Sequence, residues 1–405
     1  MEYSVNSEKE LLISKRSLGS FTHKNIRDGS LWNRMYCPEW EIPKYVLNET
    51  GILSGNWDYN IKVNFIKMKK LKLGVIGAGR IGKVHIATLV QSVPQAEVVA
   101  LAETNPAVAS EVAKMFGITS VFTTYMDVIR HPDVEAVVIC SPTDTHAKYI
   151  VDAANAGKHI FCEKPVDLSL DVIKGAIKAV EKAGVKLMVG FNRRFDPNFS
   201  KIRQLVATGK IGDPHILKIT SRDPAPPPAE YSAVSGGMFM DMTIHDFDMA
   251  RFITGSEVTE VYAKSAVLVD PEIGKAGDID TAVITLSFAN GAIGVIDNSR
   301  KAVYGYDQRV EIFGSKGMAC ADNDFPDNHR YYTDDGIHGS LPLNFFMDRY
   351  LDAYANEMKV FCDAVLNDKQ PPVTGTDGLR SVLIAMAAKK SYLENRPVKL
   401  SEIES

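Results

Sequence analysis

Long apolar runs are missing from this chain of 405 residues: none approaches the roughly 20 apolar residues that cross a bilayer as a helix. Paired cysteines are missing too. Cys37, Cys140, Cys162, Cys320 and Cys362 are odd in number, scattered, and without a C-x-x-C pair. That pattern excludes a disulfide framework or a cysteine-built zinc site and fits reduced thiols in a cytoplasmic compartment. Charge of one sign is also in short supply, since 46 Lys and Arg against 50 Asp and Glu leave a net charge of -4. No basic footprint for nucleic acid or an anionic membrane results, which leaves a small molecule or another protein as partner. The opening MEYSVNSEKELL has early acids and no apolar core, so it does not read as a secretory signal.

What is present is an ordinary globular composition, 45% hydrophobic and 24% charged, long enough for two domains. Residues 1–67 stand apart. They hold Trp32, Trp40 and Trp57, the whole tryptophan content, and little periodicity. We expect an extension dispensable for activity, with Met68 as the functional start; a docking arm is the alternative. From 68 to 190, apolar runs (Leu73–Ile76, Val98–Ala102, Ala136–Cys140, His159–Cys162, Lys186–Gly190) alternate with helix-like segments such as Thr145–Ala156 and Ser169–Ala183. Strands buried on both faces and separated by helices predict a parallel, doubly wound α/β sheet, a Rossmann domain. From 191 to 400 the strand-like runs are rich in β-branched residues and punctuated by turns, predicting an α+β domain with a large open, mainly antiparallel sheet. The Pro-rich DPAPPPAE, 223 to 230, reads as a rigid loop, and 348–367 and 376–394 as terminal helices, the second capped by Thr376.

Three motifs carry chemistry. Gly77-Ala78-Gly79-Arg80-Ile81-Gly82 follows a strand and opens a helix, the arrangement that cradles a pyrophosphate. The next strand ends in Glu103, 21 residues past Gly82, where an acid grips ribose hydroxyls and repels a 2′-phosphate. NAD is therefore expected over NADP. Ser141, Pro142 and His146 in SPTDTH, and Glu163 and Lys164 in CEKP, fall at later strand ends and are expected on the nicotinamide side. His146 could equally cap or pack, and Lys164 could be a surface lysine. An ammonium at a strand end can also polarise a substrate oxygen.

The third motif is GGMFMDMTIHDFDMARF, 236 to 252, an apolar stretch that carries Asp241, His245, Asp246 and Asp248. Helical spacing puts Asp241, His245 and Asp248 on one face. A carboxylate beside an imidazole favours its protonated form and fixes the ring, as in an acid–base pair. A metal site would need a second imidazole, and none is expected; a structural polar network is the other alternative.

GVIGAGRIGKVH, SPTDTH, CEKP, GFNRRFDPNF and GGMFMDMTIHDFDMARF, in that order, resemble the glucose–fructose oxidoreductase/inositol dehydrogenase (Gfo/Idh/MocA) family from Met68 to about Leu400. The resemblance does not reach residues 1–67. It implies NAD-dependent oxidation of a ring hydroxyl of a cyclic polyol, myo-inositol above all, with related sugars or other inositols as rivals. A non-catalytic NAD-binding regulator is the remaining rival, and such a protein would be expected to lack the Lys or the His. The resemblance also implies a triad of Lys164 holding the substrate oxygen, His245 as base and Asp241 as its partner. It points to Arg194 for a substrate hydroxyl and to a homo-oligomer, tetramer or dimer. Tyr304 and Tyr306, alternate residues before a strand, are expected to offer two phenols to the same polyol.

Overall fold

The computed structural model describes residues 69–228, 231 and 235–404 and, before residue 69, the backbone of short strands such as Tyr3–Asn6 paired with Glu10–Ile13. The role expected for residues 1–67 lies outside the described residues. Met1–Lys70 and Leu71–Ser405 are separate compact units. The second unit contains two large sheets.

Its first sheet has six strands in the spatial order Ser120–Phe122, Ala96–Ala102, Leu71–Ile76, Ala136–Ile139, His159–Glu163 and Leu187–Gly190. All neighbours run parallel. The apolar runs explain this: Ala136–Ile139 and Leu187–Gly190 are buried at every position, as strands covered by helices on both sides must be. The chain leaves Leu71–Ile76 in one direction and later returns on its other side through Ala136–Ile139. A crevice therefore opens beyond the carboxyl ends of these two strands, where ligands bind in such sheets. The short edge strand Ser120–Phe122 was not legible in the pattern.

The second sheet has seven strands in the order Gly317–Ala321, Asp307–Gly314, Pro214–Arg222, Ile293–Ser299, Thr281–Phe288, Val258–Ala266 and Val398–Lys399. It is antiparallel except where Pro214–Arg222 meets Ile293–Ser299 in parallel. Burial alternates along Thr281–Phe288, so one face meets the helices Thr243–Thr254 and Gly375–Glu394. The other face exposes Ile216, Val283, Ile293, Phe313 and Met318.

Helix boundaries follow local chemistry. Asn105 caps Pro106–Phe116, and Asp196 caps Pro197–Ala207, each with Pro in the first turn. The last long helix begins two residues earlier than expected: Thr374, not Thr376, forms a capping box with Asp377. Among the described residues no helix is long and apolar enough to cross a membrane.

Candidate active site

The glycine loop has the geometry its spacing predicts. Gly77 takes φ +93°, and a Cβ there would come 2.8 Å from the Cys140 carbonyl oxygen. At Gly82 a Cβ would lie 2.1 Å from the Gly77 carbonyl oxygen, so helix Arg80–Ser92 packs on the loop at a distance only glycine permits. Gly79 differs: the space beside it is open, and it leaves the helix without a side-chain cap. Backbone N–H groups of the first turn, from Arg80, Ile81 and Gly82 on, are thus presented to an anion. Glu103 Oε2 accepts the Ala78 N–H at 2.8 Å and Oε1 accepts the Asn105 N–H at 2.8 Å. The carboxylate therefore sits beside the loop, at the place suited to a ribose. These residues fit a dinucleotide.

At the next strand ends the outcomes diverge. Ser141 Oγ meets Thr145 Oγ1 at 2.6 Å, beside Pro142 at the start of helix Thr143–Asn155. His146 is buried, with Nδ1 2.7 Å from the Pro165 carbonyl and Nε2 2.8 Å from that of Ser141. Both ring nitrogens face protein backbone, so His146 braces two loops and has no ring nitrogen left for the expected cofactor contact. Glu163 points back into the protein, where its Oε1 is 2.6 Å from His85 Nε2.

Lys164 and Asp241 come together across the cleft. The ammonium donates to the Asp241 backbone oxygen at 2.8 Å and lies 3.8 Å from its Oδ1. Asp241 also accepts from Tyr231 Oη at 3.0 Å and from the Arg300 guanidinium at 3.1 Å. Burial pushes its carboxyl up, but Lys164 and Arg300 outweigh burial and hold it below the ordinary carboxylate range.

The expected Asp241–His245 pairing is not among these contacts. A continuous helix would have stacked the two residues. Instead Met238–Asp241 and Thr243–Thr254 are separate helical segments broken at Met242, which turns the carboxylate toward Lys164. His245 keeps a buried Nδ1 without a hydrogen-bond partner and sets its ring edge-on to Phe191 at 6.1 Å. Burial, then the charges of Lys164 and Arg193, push its pKa well below the usual imidazole value. This is the reverse of the protonated form expected from a carboxylate neighbour, and it leaves the ring neutral at neutral pH.

Asp246 and Asp248 now have partners. Asp246 is bound by Arg193 at 2.6 Å and Asn298 at 2.9 Å. Asp248 takes two bonds from Arg194, whose guanidinium also reaches Asp377 at 2.9 Å, and Arg251 joins that cluster at 3.1 Å. Arg194 is thereby committed to ion pairs within the protein, not turned toward a substrate hydroxyl as expected.

Tyr304 and Tyr306 do not share a surface. Gly305, at φ +126°, breaks the extended geometry that alternation assumes, and the strand begins only at Asp307. Tyr304 stays at the rim, donating to Asp307 at 2.6 Å, while Tyr306 is buried against Tyr350. A residue outside the quoted motifs joins Lys164 at Asp241. Arg300, nearly buried at the end of strand Ile293–Ser299, bridges Asp241 and Asp223, the latter at 3.2 Å. No local motif marks it, since the strand ahead of it ends in Asp297, Asn298 and Ser299. Among the described residues no group of His, Cys, Asp and Glu is gathered as for a metal ion.

Two family models match the chain: an oxidoreductase family with an NAD-binding Rossmann fold over residues 71–191, and the GFO/IDH/MocA C-terminal domain over residues 199–320. The chain belongs to the Gfo/Idh/MocA oxidoreductase family. Its members similar to this chain include an uncharacterized oxidoreductase of Bacillus subtilis, 52% identical over 83% of this chain and 98% of the relative. A myo-inositol 2-dehydrogenase of Thermotoga maritima is 50% identical over 82% of this chain and 99% of the relative. Among solved structures, scyllo-inositol dehydrogenase from Lactobacillus casei with bound NAD(H) and scyllo-inositol superposes with a TM-score of 0.78. That protein is 32% identical, with 82% of this chain and 100% of that one covered. As a Gfo/Idh/MocA member with the NAD-binding fold intact, the protein is an NAD-dependent dehydrogenase.

Proposed function

We propose that the enzyme oxidises one ring hydroxyl of a cyclic polyol, converting myo-inositol to its 2-keto product. The observation carrying this reading is the meeting of Lys164, from the nucleotide-binding lobe, with Asp241, on the segment that leads into His245. Alcohol oxidation needs a group to receive the hydroxyl proton and a charge to stabilise the oxygen that loses it. His245, neutral through burial and the neighbouring cations, suits the first task. Lys164 suits the second; Asp241 fixes its ammonium without removing all its hydrogen-bond donors. NAD supplies the hydride acceptor when bound.

The substrate class rests on the rim. Tyr231, Arg300 and Asp223 gather donors and acceptors around Asp241, which suits a ring bearing many hydroxyls. The named inositol dehydrogenases among the relatives favour myo-inositol and leave scyllo-inositol as the second reading. An NADH-absorbance screen of myo-, scyllo- and chiro-inositol, glucose and xylose with NAD and with NADP tests the proposal. Activity on glucose alone would defeat it. The reading includes a cytoplasmic homo-oligomer that covers the sheet face bearing Ile216, Ile293 and Phe313, checked by light scattering in solution.

A further inference from the structure

Behind Lys164 lies a group of buried polar residues that the proposed chemistry leaves unused. His85, on helix Arg80–Ser92, has no exposed surface, and its Nε2 stands 2.6 Å from Glu163 Oε1. The other oxygen, Glu163 Oε2, accepts the Lys164 backbone N–H at 3.3 Å. The carboxyl group also rests on Gly190, where a Cβ would come within 3.1 Å of it. It therefore ties the end of the strand carrying Lys164 both to the neighbouring strand and to a helix on the sheet's face.

The imidazole that anchors this tie cannot swing away. Its ring meets Phe161 edge-on at 5.1 Å and Tyr354 edge-on at 5.4 Å. One turn beyond Tyr354, on helix Leu351–Leu366, comes Glu357, wholly buried, with neither carboxyl oxygen hydrogen-bonded. An ionised carboxylate without a partner costs several kcal/mol in such surroundings. The nearby Glu163 adds repulsion to that cost. Glu357 is accordingly the uncharged acid, and the single imidazole serves Glu163 without competition.

We propose that His85 is a positioning residue for Lys164: by holding the Glu163 carboxyl it fixes the strand end from which the lysine reaches the cleft. The proposal rests on the role assigned above to Lys164. His85 touches neither substrate nor the reacting atoms. Its influence passes through one carboxyl and one peptide N–H.

Full-length His85→Leu, His85→Gln and Glu163→Gln enzymes test it, assayed with NAD and with myo-inositol either unlabelled or deuterated at the carbon that is oxidised. A misplaced lysine slows the chemical step, so His85→Leu should lose about ten- to a hundred-fold in kcat. Its deuterium isotope effect should rise, because hydride transfer then limits the rate. A structural lesion that merely lowers the amount of active enzyme leaves that isotope effect where it was. Gln at position 85 retains a donor and should restore much of the loss. If the Leu variant does not fold, Glu163→Gln carries the test, with lowered kcat and a raised isotope effect expected. Wild-type kcat and isotope effect in a folded His85→Leu or Glu163→Gln enzyme would overturn the proposal.

Glu357→Gln supplies an independent arm. The infrared carbonyl band of an un-ionised carboxylic acid should be present in the wild type and lost in this variant; no difference between them would overturn the uncharged state assigned to Glu357. This arm needs no substrate. Failure of the wild type to oxidise any polyol would bring down the functional reading and not the state of Glu357.

Discussion

Two glycines of one loop should fail in opposite ways when replaced by alanine. At Gly82 the added methyl would sit 2.1 Å from the Gly77 carbonyl oxygen, 2.9 Å from its carbon and 3.4 Å from Cys140 Cβ. The first two atoms are backbone and cannot rotate aside, so helix and loop must separate. Overpacking of this kind costs about 1–3 kcal/mol, of which roughly 0.5–1 kcal/mol is returned by alanine's better helix propensity. Contact with backbone that cannot move puts the net loss in the upper part of the resulting range, about 1–2.5 kcal/mol, a fall in Tm of about 1–3 °C for a chain of 405 residues. At Gly79 the backbone is already extended, φ -65° and ψ -166°, and no atom lies within 4 Å of the new methyl. Stability should therefore fall by no more than about 1 kcal/mol, the margin by which alanine is the poorer N-cap. The methyl does occupy the side of the loop where a pyrophosphate meets the helix N-terminus, and NAD affinity should fall tenfold or more, about 1.4 kcal/mol. Circular dichroism melts and isothermal titration with NAD separate the two effects. A Gly79→Ala protein that binds NAD normally would refute this account of the loop, as would a Gly82→Ala protein that melts with the wild type.

Lys164→Ala should leave NAD affinity within about twofold while lowering kcat by 10²-fold or more; undiminished turnover would remove the lysine from the chemistry. Because burial and neighbouring cations depress the His245 pKa, the proposed base is already deprotonated at neutral pH. The acid limb of kcat/KM should thus lie below the usual imidazole value near ~6.5, and a limb at or above that value would contradict the environment described. Asp280, fully buried, accepts backbone N–H groups from Leu268, Val269 and Asp270. Asp280→Asn must turn its NH2 toward at least one of those N–H groups, the Leu268 N–H in the better orientation, and should cost about 1–3 kcal/mol in denaturant unfolding. Burial raises the Asp280 carboxyl, but these bonds outweigh it and hold the folded value below the ordinary one. Its contribution is then present above the unfolded pKa of about 3.9 and lost as pH falls through the folded value, so the variant should show a weaker acid dependence.

The nucleotide-binding half was legible because its signals are local. Apolar runs buried on both faces, a glycine spacing and an acid at the next strand end each depend on a few adjacent residues. The substrate side was less legible because its decisive contacts join distant segments. Nothing near Arg300 in the chain announces that it will bridge Asp223 and Asp241. The pairing of Asp241 with His245 was misjudged for a different reason. A period of 3.6 residues assumes an unbroken helix, and the break at Met242 defeats it. At Tyr304 and Tyr306 a glycine with positive φ defeats the period of two in the same way. Periodicity located these residues but could not orient them across an interruption.

The consecutive arginines 193 and 194 grip positions 246 and 248, immediately after His245. Two rivets set a couple of residues apart resist both rotation and sliding of the helix, so the proposed proton acceptor, His245, behaves as masonry and not as a hinge. On the proposed function, natural or laboratory drift toward another ring would then have to work through the upholstery, side chains such as Tyr231 beside Asp241, while leaving the pillar untouched. A variant library confined to that upholstery should yield altered preferences far more often than one aimed at the pillar.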